Sequence, residues 1–159
     1  MFNHAKRMTT VALAVGLTLA VGACSSSGGK KAEESAAGIS GGKASTPTMT
    51  VAMVTHAAPG DTFWDIIRKG AESAAAKDNV KLNYSSDPTS ANQANLIQSA
   101  IDSKVDGIAL TLPDPPALVP VVKKAIAAGI PVIAFNAGIT SFEDSGALAY
   151  FGSDESLAG

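Results

Sequence analysis

Apolar positions change their rhythm twice along the chain. Val11 to Ala23 holds only apolar residues, Gly and one Thr, whereas Ser25 to Pro47 has almost no apolar side chain beyond Ala and one Ile. From Thr48 onward, short β-branched runs alternate with stretches of helical period. The runs MTVAMVT (Met49 to Thr55), VKLNY (Val80 to Tyr84), GIALTL (Gly107 to Leu112), PVIAF (Pro131 to Phe135) and Ala147 to Phe151 predict five strands. Between the first two, Phe63, Ile66, Ile67, Gly70, Ala71 and Ala74 recur at helical spacing and predict an amphipathic helix with this set inward, opening on Asp61 or Thr62 as N-cap. A second helix, about Ser90 to Asp102, turns Ile97, Ala100 and Ile101 inward. A third turns Leu118, Val121, Val122, Ala125 and Ile126 inward, with Asp114 placed to cap its start and Gly129 to end it in a left-handed conformation. Asn136 to Gly146 reads as a polar loop, and Ser153 or Asp154 as the cap of a helix that is just beginning.

Strands of four to six residues that are apolar on both faces and separated by helices predict an α/β fold: a doubly wound, mostly parallel sheet of about five strands with helices on both faces. Such sheets hold ligands beyond the carboxyl ends of their strands, near the point where strand order reverses. That directs attention to His56 to Trp64, Ser85 to Asp87, Pro113-Asp114, Asn136-Ala137 and Ser153-Asp154.

The first two regimes carry an address. Residues 1–23 run from basic (Lys6, Arg7) through apolar to small, the order of a secretory signal. The apolar stretch falls short of the roughly 20 residues of a spanning helix. Gly22-Ala23-Cys24 looks like a bacterial lipobox, in which the Cys24 thiol is acylated and the chain is cut before it. Cys24 is the sole cysteine, so neither an internal disulfide nor a Cys-based metal site is available. Residues 24–47 then read as a flexible Ser/Gly/Ala-rich tether with a root-mean-square span of about 25–30 Å. Residues 48–159 form the globular part, with seven Lys and Arg against twelve Asp and Glu. An acidic folded region is the wrong sign for a nucleic-acid partner.

The chemistry at the strand ends is that of binding rather than turnover. HAAPGDTFW after the first strand is neither GxGxxG nor GxxxxGK[ST]; HExxH and CxxC are absent from the chain, and GxSxG from its globular part. No cofactor or metal is expected. A hydrolytic α/β enzyme would have to build its triad around His56, the one histidine of the globular part, without a nucleophile elbow. What gathers instead is aromatic and amide chemistry. Trp64 lies about 100° around the helix from Phe63, at the edge of the expected inner face and aimed at the cleft mouth. Its indole suits the C–H face of a sugar or polyol, and Asn136 offers both donor and acceptor to hydroxyls. Each has a structural alternative: Phe63 and Trp64 as core, Asn136 as a turn residue, His56 as a loop cap and Asp61 as a helix cap.

The segments TVAMVTHAAPGDTFWDIIRKGAE, VDGIALTLPDP, AIAAGIPVIAFNAG and YFGSDESLAG, in this order and spacing, resemble the amino-terminal lobe of periplasmic sugar-binding proteins of the ribose/galactose-binding type, the solute receptors of ABC importers. The resemblance implies a small polar solute held between two lobes, an ABC permease as partner, and an exported protein, lipid-anchored at the outer face of the cytoplasmic membrane or in the periplasm. It carries ligand contacts over to Asp61, Phe63, Trp64 and Asn136, and His56 joins them from its place after the first strand. Ribose-type members commonly have an acidic residue followed by Arg after the fourth strand. Here Asn136 is followed by Ala137, which removes a charged bidentate pair and brings a neutral polyol or another sugar into view. Receptors that present solute to a membrane sensor share these features. The chain reaches only a few residues past the fifth strand, so the resemblance also implies a lobe truncated at its carboxyl end.

Overall fold

Residues 42–158 are described by a computed structural model; the expected signal segment, Cys24 and most of the tether fall outside the described residues. Five strands alternate with helices: β1 (Met49–Thr55), α1 (Thr62–Lys77), β2 (Val80–Ser86), α2 (Ser90–Asp102), β3 (Gly107–Leu110), α3 (Pro115–Ala127), β4 (Val132–Phe135), α4 (Phe142–Ser145), β5 (Tyr150–Phe151) and α5 (Glu155–Ala158). All pairings are parallel and the order is β2-β1-β3-β4-β5. The expected doubly wound sheet is therefore present, and its order reverses between β1 and β3.

Side chains of each strand alternate between two unequal faces. On one, Ala52, Val54, Ile108, Leu110, Val132 and Ala134 are buried beneath α2 and α3, which contribute Ile97, Leu118, Val121, Val122 and Ala125 to a single core. The other face carries α1, set against β2. Beside α1, an open apolar cavity of about 620 Å³ is lined by Ile67, Ala74, Ala109, Ile133, Phe135 and Phe151 among others.

The helix ends follow from their sequences. Asp61 caps α1, its Oδ1 accepting from Phe63 N–H at 3.0 Å. Asp114 caps α3, with Pro115 and Pro116 in the first turn, where a missing N–H leaves no bond unmade. Gly129 follows α3 with φ +80°, the left-handed conformation expected of it.

Four expectations need correction. The inner stripe of α1 is rotated: Trp64 is 6% exposed, while Phe63 is 53% and Ile66 72% exposed. The His56 and Phe135 rings meet Trp64 at 5.1 and 6.3 Å between centroids and bury it, which leaves Phe63 and Ile66 on the open side of the helix. Similarly Ile126, expected inward on α3, stands 36% exposed at the helix end. The fifth strand is confined to Tyr150–Phe151, because Ala147 N–H bonds back to Phe142 O and closes α4, a turn too short to show a period in sequence. The last part of the expected tether is held to the lobe: Ala44 N–H donates to Lys77 O at 2.7 Å and Asn79 Nδ2 to Thr46 O at 2.6 Å.

The rotated stripe sets a prediction. Trp64→Ala should cost about 3–5 kcal/mol of stability by leaving a large cavity, and Phe63→Ala less than about 1 kcal/mol, as read from urea unfolding midpoints.

Candidate functional site

The carboxyl ends of β1, β3 and β4 are stitched into one floor. Thr111 N–H donates to Val54 O at 3.1 Å and Leu112 N–H to Ala137 O at 3.0 Å. Gly138 passes so close to Leu112 that an added Cβ would lie 2.4 Å from the Leu112 Cβ, and its φ is +103°. Only glycine meets both requirements there.

Over this floor opens a cavity of about 460 Å³, lined by His56, Asn136, Thr140, Tyr150, Ser153 and Asp154 with their neighbours. Of the sequence candidates, His56 and Asn136 come together here. Asn136 turns the chain with φ +62°, a conformation Asn adopts more readily than other side chains. Its backbone is fixed on both sides, N–H to Phe151 O at 3.0 Å and C=O accepting from the Tyr150 hydroxyl at 2.8 Å. Its side-chain amide bonds to no described residue. The Tyr150 phenol is pushed up by burial and then by the charges of Glu155 and Asp154, so it remains a donor.

His56 Nδ1 lies 2.8 Å from Thr111 Oγ1, and its ring stands edge-on to Trp64 at 5.1 Å between centroids. Trp64 in turn meets Phe63 at 5.3 Å and Phe135 at 6.3 Å. Trp64 is thus the wall behind His56 instead of a face at the cleft mouth, and Phe63 is the aromatic whose surface is open. Asp61 works as the cap of α1 and stands outside the cavity lining. Asp87 is likewise absorbed in structure, accepting from Thr89 N–H and Oγ1–H and from Asn92 Nδ2, which holds its carboxyl below the usual range.

Gln93 and Thr111 were not singled out by the sequence. Both are fully buried, and Gln93 Nε2 donates to Thr111 O at 2.8 Å and to Thr111 Oγ1 at 3.1 Å. The available signal was a polar residue four positions before Ile97, on the inward stripe of α2. Among the described residues no His/Cys/Asp/Glu cluster suits a metal ion.

Electrostatically the cavity is neutral to acidic: its lining includes Asp154 and Glu155 and no Lys or Arg. An imidazole, amides and hydroxyls can exchange hydrogen bonds with an uncharged, hydroxyl-rich molecule and offer nothing to balance an anion.

A sequence profile of the periplasmic binding protein domain matches residues 51–159. The chain belongs to this family. Its fold has solved counterparts. A carbohydrate transporter from Acidothermus cellulolyticus 11B, in complex with myo-inositol, is 67% identical over 70% of this chain and 39% of its own, with a TM-score of 0.70. An ABC transporter solute-binding protein from Burkholderia graminis C4D1M, in complex with D-arabinose, is 29% identical over 69% and 37%, with a TM-score of 0.62. A glucose-galactose binding protein from Geobacillus stearothermophilus is 25% identical over 71% and 40%, with a TM-score of 0.64. No curated protein sequence matches the chain. This periplasmic binding protein domain spans about two fifths of the length of those solved chains. Periplasmic binding proteins are exported to the periplasm.

Burial holds the His56 imidazole below its ordinary pKa of 6.5, with the Asp61 carboxylate opposing only in part. As pH falls, the unfolded chain therefore binds this proton first. The contribution of His56 to stability is full above the ordinary value and is lost as pH drops through it towards the folded pKa. NMR titration of the ring should give a midpoint below 6.5, and the acid-side loss of stability should shrink in His56→Gln.

Proposed function

We propose that this domain forms one wall of the solute site in the binding component of an ABC-type importer, and that the solute is a small neutral polyol or sugar. The observation that carries this reading is the 67% identity to a carbohydrate transporter solved with myo-inositol. The cavity chemistry supports it independently: His56 and Asn136 supply hydrogen bonds, and the lining holds no cation for an acidic solute. The open face of Phe63 stacks on ring C–H groups, Trp64 backs His56, and the second carboxylate oxygen of Asp61 accepts from a hydroxyl at the rim. The domain binds and releases its solute unchanged. It hands the solute to a membrane permease, and a second lobe closes the opposite wall of the cleft.

In this reading Cys24 is acylated and residues 25–43 tether the domain to the outer face of the cytoplasmic membrane. Two or more acyl chains give stable anchoring where one would not.

Two measurements test this. Titrating the chain with myo-inositol should move the amide resonances of His56, Asn136 and Thr140, with Kd on the order of 1 mM or weaker for a single wall, while glucose 6-phosphate leaves them still. Tighter binding of the phosphate ester, or perturbation centred on the α2/α3 side, overturns the proposal. For the anchor, Cys24→Ala should move the protein from the membrane fraction to the soluble one and abolish labelling by a radioactive fatty acid.

A further inference from the structure

The His56 ring reaches across the reversal of strand order, from the end of β1 to Thr111 just beyond β3. The 2.8 Å contact between His56 Nδ1 and Thr111 Oγ1 joins two groups that can each donate or accept, so taken alone it leaves the proton on either side. Gln93, in the first turns of α2, breaks the tie. Its Nε2 faces the Thr111 carbonyl oxygen at 2.8 Å and Thr111 Oγ1 at 3.1 Å. A carbonyl oxygen only accepts, so turning the amide over would set two acceptors against each other with no proton between them. The amide orientation is thereby fixed, and its Oε1 has no partner among the described residues.

Thr111 Oγ1 therefore accepts from Gln93, and its own proton needs a destination. Thr111 is fully buried, where a hydroxyl hydrogen left without an acceptor is costly. His56 Nδ1 is the acceptor within reach. Once the hydroxyl donates to Nδ1, the neutral ring carries its proton on Nε2, the nitrogen that no described residue engages.

We infer that Gln93 is a positioning residue: acting through Thr111, it holds His56 as the Nε2–H tautomer and makes the β1 end of the cleft a fixed hydrogen-bond donor. The inference rests on the proposed solute site for its use. A fixed N–H there serves a solute hydroxyl and an acceptor-only ring oxygen alike, whereas the opposite tautomer would demand a hydroxyl.

The test reads the two ring nitrogens of His56 by long-range proton–nitrogen NMR in a His4→Gln background, where His56 is the sole histidine, at a pH above the ring's titration. The expected spectrum shows Nε2 protonated and Nδ1 bare. A protonated Nδ1 overturns the inference at once. In Gln93→Leu, loss of the amide donor frees Oγ1 to accept, and the Nδ1–H form should become populated. An unchanged spectrum in Gln93→Leu is equally fatal. The reading needs no solute, so a failure of myo-inositol to bind leaves it standing, and its own failure leaves the solute proposal standing.

Discussion

The parallel pairing of β1 with β3 governs everything at the carboxyl edge of the sheet. Val54 lies opposite Leu110, and the ladder continues one step further as Thr111 N–H reaches Val54 O. His56 and Thr111 consequently leave the sheet side by side, close enough for their side chains to bond. The next ties build outward from that pair. Leu112 N–H holds Ala137 O, and the absent side chain of Gly138 lets the loop after β4 rest on Leu112. Asn136 is then held at the same cavity as His56 through its own backbone, its N–H donating to Phe151 O and its C=O accepting from the Tyr150 hydroxyl.

The unequal covering of the two faces gives the site a hard side and a softer one. Beneath the floor, α2 and α3 close a continuous core, and Gln93 belongs to the buried surface of that layer. On the α1 side, support comes from aromatic edges: Phe135 from β4 touches Trp64, and Trp64 touches His56. A change in Trp64 would thus be felt both by the seat of α1 and by the orientation of the imidazole. The aromatic that is free to change without disturbing the fold is Phe63.

Much of this was legible in the sequence. The strands read clearly because both faces are apolar, and Asp61, Asp114 and Gly129 announced the helix ends through side chains that suit caps and left-handed turns. His56 and Asn136 were legible as strand-end polar residues. The facing of α1 was not, because its apolar residues span too broad an arc for periodicity to choose which flank meets the sheet. Thr111 was hidden within an apolar run, and its partner Gln93 comes from an element 18 residues away, a relation local pattern cannot express. The short α4 and the shortened β5 were lost for want of length.

No two neighbouring strands of this sheet are joined by a hairpin, so every pairing waits on a helical crossover. The β1–β3 pair waits longest among those of β1, since β2 and two helices intervene, and the contact between His56 and Thr111 closes a separation of 55 residues. Loop-closure entropy makes such contacts slow to form. The imidazole therefore acquires its buried neighbour only when the centre of the sheet has assembled, which makes His56 a natural clock for the completion of folding.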